Sequence, residues 1–584
     1  MSLKKKVVAG IAVTLSVMMG LAGCGGGNSA TPKDDDSLMK VDVYDDLANY
    51  QGVQKGWFAK LVKDKFNLKL NYISPNVSGG GSTTFDTRSA AGNLGDIIIT
   101  GAGNGRLNKL IRSKLVDDMT PYLNGMDSIK KYKNATDNLN KVAGQSSGVW
   151  GVPMSVSTKA PDQPSEGNEP VFGPYIRWDL YKKLGYPEIK NMDDFLDVLK
   201  QEQDLARKET GDNSIYAISL FKDWDGNMMN NIKQPICYYG YDEMGFVLAA
   251  VDGHDYQSVT QKDGMYDKTL AWFNKANQEG LVDPESSTQN FDTLTTKYKN
   301  GKVLFSFWSY LGPAQYNTTD HKKQGVGFMV APLQNMKIVS YGATPNGTGS
   351  FIGLGSKARN KQRLVKFINW LYSNEGAYAM AGNVKGMNYD IKDGKPVLTD
   401  FGKKLQNDQS ATVPKEFGGG SWSDGQPQLN FKSVNATDID PTTGEDYSST
   451  DWKSVIEEFN NSPLEQDWSG HMGGAKTTME YLEKNNMLAV APGAGYIQPD
   501  EDSQISTLRG SIKTEIVNDS WKAVFAKSDD EFQKIVDGMR TQTDGLGMKQ
   551  VLDFDMKNAK DQDKARKAIL KEYANREKNE GSSK

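Results

Sequence analysis

Alternating apolar and polar positions over Met39–Tyr44 predict a strand at the start of the folded body. A polar loop over 45–54 follows. Trp57, Phe58, Leu61, Val62 and Phe66 then fall at helical spacing, and Leu68–Ser74 reads as a second strand. Gly95-Asp96 leads into Ile97-Ile98-Ile99-Thr100, a continuous apolar run of the kind found in strands covered on both faces. Gly101–Gly105 breaks the chain, and Leu107–Val116 is helical again. The same order recurs downstream. Tyr175–Trp178, Ile215–Leu220, Val303–Phe307 and Phe351–Leu354 predict strands, while 193–209, 266–280, 363–375 and 529–579 predict helices. Strands alternating with helices indicate an α/β fold with parallel or mixed sheets flanked by helices. Residues 412–450, rich in Gly, Ser, Thr, Asp and Pro, read as long surface loops.

Ahead of that body the pattern changes. Lys4, Lys5 and Lys6 precede an apolar segment over 7–21, too short for a permanent membrane span and ordered like a secretory signal. Leu21-Ala22-Gly23-Cys24 closes it and resembles the lipobox of bacterial lipoproteins. That resemblance implies cleavage after residue 23 and lipid attachment at Cys24, with 24–37 a flexible, Gly-rich tether. No later apolar run has the length a membrane span needs.

The formal net charge is −4, and the signal holds three lysines and no acid, so the mature chain is more acidic still. An exported acidic chain has no footprint for nucleic acid. There are only two cysteines, and with Cys24 lipidated, Cys237 has no partner for a disulfide. His254, His321 and His471 lie far apart with no ligand spacing around them, so no metal is expected. Nucleophile elbows and phosphate loops are also missing, which argues against an enzyme, and no cofactor is expected.

Several stretches, in this order, resemble the extracytoplasmic solute-binding proteins of carbohydrate ABC importers, in particular the larger lipoproteins related to oligosaccharide and alginate binders. They are Gly92–Ile98, Val149-Trp150-Gly151-Val152-Pro153, Ile176–Leu180 with Leu184-Gly185 and Met192–Phe195, Gln278–Glu285 with Tyr298–Val303, Ile368–Gly376, and the region of Trp521–Val524 and Phe532. The resemblance implies a two-lobed periplasmic-binding-protein-like fold of type II, with a ligand cleft between lobes. It places 38–158 plus 350–411 in the first lobe and 159–349 plus 412–584 in the second. It implies a monomer that passes a carbohydrate, an oligosaccharide for preference, to the permease subunits of an ABC transporter, held by lipid on the outer face of the bacterial membrane. The segment Lys208–Ser214 lacks the alternating oxygen ligands of the calcium loop some relatives carry, so no calcium is expected there.

A saccharide offers apolar C–H faces and a rim of hydroxyls, so its site needs aromatic platforms and short polar side chains. By resemblance, Trp308 with Tyr310 after the strand Val303–Phe307, and Trp224 with Asp225 after Ile215–Leu220, are ligand contacts. Strand alternation would put Trp308 on the face opposite Phe307. Trp422, set in a glycine-rich stretch, is a third aromatic candidate. Asn49, Tyr50 and Gln51 after the first strand, and Gly103, Asn104 and Arg106 after Ile97–Thr100, are the polar candidates. Trp57 and Trp370, spaced among aliphatics, read as structural. The competing classes are a surface glycan-binding adhesin and a lipoprotein glycoside hydrolase, the latter needing two carboxylates about 5–9.5 Å apart.

Overall fold

Three parallel strands bring the N-terminal third together. Met39–Asp45 lies between Leu68–Ile73 and Ile97–Gly101 in register, Val43 facing both Tyr72 and Ile97. Ser350–Gly355 adds antiparallel to Ile97–Gly101, which makes the seven-stranded sheet mixed. Ile97, Ile98 and Ile99 are fully buried, as a strand covered on both faces requires. Helices Gly56–Phe66 and Lys361–Leu371 cover one face, where Phe66 meets Phe367 edge-on at 5.5 Å. Trp57 and Trp370 are buried there.

The computed structural model describes residues 36–584 apart from 79–80, 104, 223–227, 500 and 582–584. The signal segment, Cys24, the tether through 35, Asn104, Trp224 and Asp225 therefore lie outside the described residues. Residues 38–584 form one unit by their contacts.

A second core forms around Phe172–Arg177, flanked antiparallel by Phe305–Trp308 and Phe328–Val330. The predicted strand 215–220 is present only as single bridges, Tyr216 to Val303 and Ile218 to Val282. Trp178, expected to end a strand, instead starts the helix Trp178–Lys183. The helix Met192–Thr210 begins where the Asn191 side chain accepts from the N–H groups of Asp193 and Asp194, and it stops at Gly211, whose φ of 71° suits glycine. Just beyond, Asp212 is committed to the N–H and hydroxyl of Ser214 and to an ion pair with Lys302. Helices Ser503–Val524, Asp529–Gly545 and Met548–Gly581 complete this lobe.

The fold is two-lobed, and its cores divide the chain. One core gathers side chains from 39–156 and 352–455, the other from 175–338 and 464–551. Residues 412–450 were expected as surface loops of the second lobe. Val413, Leu429, Phe431, Val434 and Tyr447 are instead buried in the first. Their spacing follows no period, which is why the pattern hid them. Where the chain passes between cores, three segments run side by side: the N–H of Gly342 donates to Ala491 and that of Gly493 to Pro161. A Cβ on Gly342 would lie 1.9 Å from the Pro161 carbonyl oxygen, so only glycine permits this approach.

Candidate functional site

The C-terminal ends of the first and third strands of the first lobe meet, and with them the two loops expected to face the cleft. Thr100 Oγ1 donates to Asp46 Oδ2 at 2.5 Å, and Arg106 Nη1 reaches the same oxygen at 2.6 Å and Thr100 Oγ1 at 2.7 Å. Arg106 also lies over the Phe85 ring at 4.9 Å. Burial raises the Asp46 carboxyl above its usual range, against the lowering pull of Thr100 and Arg106. Gly103 and Gly349 both face Ile497, so the segment after the strand Leu488–Ala491 reaches across to this end of the sheet. The other loop is partly pinned by its own side chains. Tyr50 donates to the Val53 carbonyl, Gln51 Oε1 accepts from Ser74 N–H, and Asn49 is exposed.

A crevice of about 640 Å³ opens between segments belonging to the two lobes. Ser165–Glu169, Val171 and Tyr341 form one wall, and Lys432, Asn435–Thr437, Ser448, Thr450 and Asp451 the other. The walls touch where Asn168 Nδ2 donates to the Thr450 carbonyl at 2.8 Å and Thr437 Oγ1 to that of Ser165 at 3.2 Å. Glu166 is held by Ser340 Oγ at 2.5 Å and Tyr341 N–H at 3.1 Å. Glu169 accepts from Tyr175 Oη at 3.0 Å. It is open to solvent, yet burial by the surrounding protein pushes its carboxyl up to about 7, with Thr478 and Tyr175 opposing. Tyr310 shows the same signature: 40% of its surface is exposed while burial pushes its hydroxyl up to about 12.

Tyr310 belongs to an aromatic run whose far end, Tyr341, lines this crevice. It stacks on Trp308 with centroids 5.7 Å apart; Trp308 pairs with Phe172 across the sheet, and Phe172 meets Tyr341 edge-on at 6.2 Å. Trp308 itself is only 3% exposed. Alternation does not leave Trp308 exposed because every residue of Phe305–Trp308 is buried, so both faces of the strand are covered and Phe307 and Trp308 belong to the same core. Trp308 lies beneath Tyr310 and against Phe221, with Tyr310 carrying the exposed face. Phe221 stands three residues before Trp224 in the sequence. Trp422 packs instead in the first lobe, beside Gly382 and with its carbonyl accepting from Trp57 Nε1 at 3.0 Å.

The structure thus joins Asp46, Thr100 and Arg106 at one sheet end, and Tyr310 with Trp308 at another. It adds a wall the sequence reading did not name, built by Glu166, Asn168, Glu169, Tyr341, Lys432, Asn435, Thr437 and Asp451. The polar run 162–169 carries no periodicity, and only its density of Asp, Glu, Asn and Gln could have marked it. Among the described residues no three His, Cys, Asp or Glu side chains gather as a metal site needs, and no helix is long and apolar enough to cross a membrane. Cys237 is a buried free thiol, raised by its burial.

Two α/β lobes are joined by adjacent crossing segments, with a polar crevice whose walls come from segments of each. The family model for bacterial extracellular solute-binding proteins matches residues 45–378, and the chain belongs to that family. Solved structures share its fold at low identity. The alginate-binding protein AlgQ2 without calcium ion is 14% identical, with TM-score 0.57 over 90% of this chain and 98% of its own. An HMO-binding ABC-transporter-associated solute-binding protein from Bifidobacterium longum infantis is 15% identical, with TM-score 0.57 over 90% and 99%. The S. pneumoniae ABC-transporter substrate-binding protein FusA in complex with kestose is 13% identical, with TM-score 0.57 over 90% and 99%. No curated protein matches the sequence.

Proposed function

We propose that this protein is the lipid-anchored receptor of an ABC importer, tethered through Cys24, and that it captures an oligosaccharide in the crevice between its lobes and delivers it to the permease. The observation that carries this reading is the crevice itself, with hydrogen-bonding side chains from both lobes and a tyrosine-bordered rim. The sugar-binding titles of the structural neighbours support the ligand class.

A bound sugar bridges the two walls. Its hydroxyls take hydrogen bonds from Asn168 on one side and Asn435, Thr437 and Lys432 on the other, while the faces of Tyr310 and Tyr341 cover its C–H surfaces. Contacts made to both walls at once exist only when the lobes are close, so the ligand favours closure by its differential affinity for that state. Trp224, Asp225, Asn104 and Arg106 stay, as the family resemblance implies, candidate contacts outside the lining of this crevice. Arg106 is paired with Asp46 at the end of the first lobe's sheet.

Titration calorimetry of the mature protein against an oligosaccharide panel tests this reading, with chromatography of the recovered sugar. One-to-one binding with the sugar returned intact and a smaller radius of gyration in solution scattering is the expected result. Shortened products would make the protein a hydrolase, and an unchanged radius at saturation would remove the closure step.

A further inference from the structure

The charge of the crevice bears on which sugars it admits. Glu166, Glu169 and Asp451 line it against one cation, Lys432. The next lysine along, Lys159, stands 3.7 Å from Asp446 Oδ1, which adds an acid for each base. At the end of the first lobe's sheet Arg106 is paired to Asp46 at 2.6 Å. Among the described residues, the crevice therefore carries an excess of negative charge and no arginine in its lining.

A uronate placed here would bring a carboxylate into a partly desolvated space already holding carboxylates. The guanidinium fork that recognises carboxylates in two-point fashion is missing from the lining. Like charges brought together at an interface select strongly against the wrong partner, and low dielectric makes the effect larger than in water. An uncharged sugar suffers none of this, because ionised carboxylates accept hydrogen bonds from hydroxyl groups readily.

We propose that the crevice selects uncharged saccharides and rejects uronates by its own negative charge. The inference rests on the binding reading above and deepens it, and it separates this chain from the alginate binder whose fold it shares. Burial pushes the Glu169 carboxyl up to about 7, so the charge is fully developed only in mildly alkaline buffer.

The test uses the mature full-length protein at pH 8 and low salt, with matched pairs that differ in oxidation at C6: mannotriose against trimannuronate, and galactotriose against trigalacturonate. Calorimetry should show the neutral member of a pair binding about a hundredfold tighter or more. Raising the salt should narrow the gap, as screening requires. Glu169→Gln and Asp451→Asn, made separately so that one serves if the other fails to fold, should each narrow it by about tenfold. A uronate bound within threefold of its neutral partner overturns the inference, and so does an unchanged gap in both folded amide variants. Those results leave the sugar-binding reading standing. Failure of every sugar in the wider oligosaccharide panel removes the binding reading, and this one with it.

Discussion

The two walls of the crevice are built in opposite ways. On the second lobe, Tyr341 ends the strand Ile338–Tyr341 and Val171 directly precedes Phe172–Arg177, so ladders set their positions, and Glu166 is tied to the first of these strands through Ser340 and Tyr341. On the first lobe, residues 430–448 contain neither helix nor strand. That wall is nonetheless ordered by side chains bonding to backbone. Asp438 accepts from Ser157 Oγ at 3.0 Å and Thr158 N–H at 2.9 Å. Asp440 Oδ1 accepts from the N–H of Thr442 at 2.9 Å, and Asn435 Oδ1 from that of Thr437 at 3.0 Å. Beneath them Phe431, Val434, Tyr447 and Trp452 are buried in the lobe's core. A strand fixes a contact residue by repetition, whereas this wall fixes each one individually, so its shape can change without disturbing a sheet.

The sharpest way to break that contrast is to remove the anchor of the irregular wall. Trp452 is fully buried, and its indole N–H donates to the Asp446 carbonyl at 2.7 Å. Trp452→Ala should destabilise the first lobe by about 3–5 kcal/mol, as large-to-small changes in a packed core do. A lowered melting transition together with lost sugar binding is the expected result. A near-normal melting curve would mean that residues 430–452 are decoration on a lobe that folds without them.

How much of this could be read from the sequence follows the same divide. Periodic elements were legible: the alternation of Met39–Tyr44, the run Ile97–Thr100 and the helix expected over 193–209, found as Met192–Thr210, appear where the pattern placed them. The aperiodic wall was not, because Val413, Leu429, Phe431, Val434 and Tyr447 are spaced by loop geometry instead of by a helix or strand. Trp308 shows the limit within a regular element. Alternation assigns it a face but not its exposure, because both faces of this strand are covered. Tyr310, two residues on, was legible as a candidate, although nothing in the sequence shows that it, and not Trp308, carries the exposed face.

That pair supplies a smaller and more specific effect. Tyr310→Ala removes an exposed ring stacked on Trp308 and should weaken sugar binding by about 0.5–1.5 kcal/mol, roughly threefold to tenfold, with little loss of stability. Trp308→Ala opens a cavity in the second core and should mainly lower the melting temperature. The two variants, measured side by side by calorimetry and thermal unfolding, should separate along these axes. If Trp308→Ala abolished binding in protein that melts normally, the ligand would reach the tryptophan directly, and the buried position would describe only the state without sugar.

The smallest effect expected is a slope with pH, and it tests whether the crevice wall at Glu169 is as desolvated as its surroundings indicate. Burial raises the Glu169 carboxyl from its ordinary value of 4.5 to about 7. A carboxyl whose pKa is higher in the folded than in the unfolded chain binds its proton more tightly when folded. Its contribution therefore favours folding below the ordinary value and fades as pH rises from about 4.5 to 7. Asp45, fully buried beside the first lobe's sheet end and raised to about 8, contributes with the same sign. The protein should melt at a higher temperature at pH 5 than at pH 8 so far as these groups decide. Because Glu169 is reached by solvent, its share is modest. Glu169→Gln should flatten the slope between pH 5 and 7 without altering the part above 7, which Asp45→Asn should remove. If Glu169→Gln left the whole profile unchanged, the carboxyl would be hydrated as on an open surface. The crevice would then be a shallow groove, and its walls would have to close before they could hold a sugar out of water.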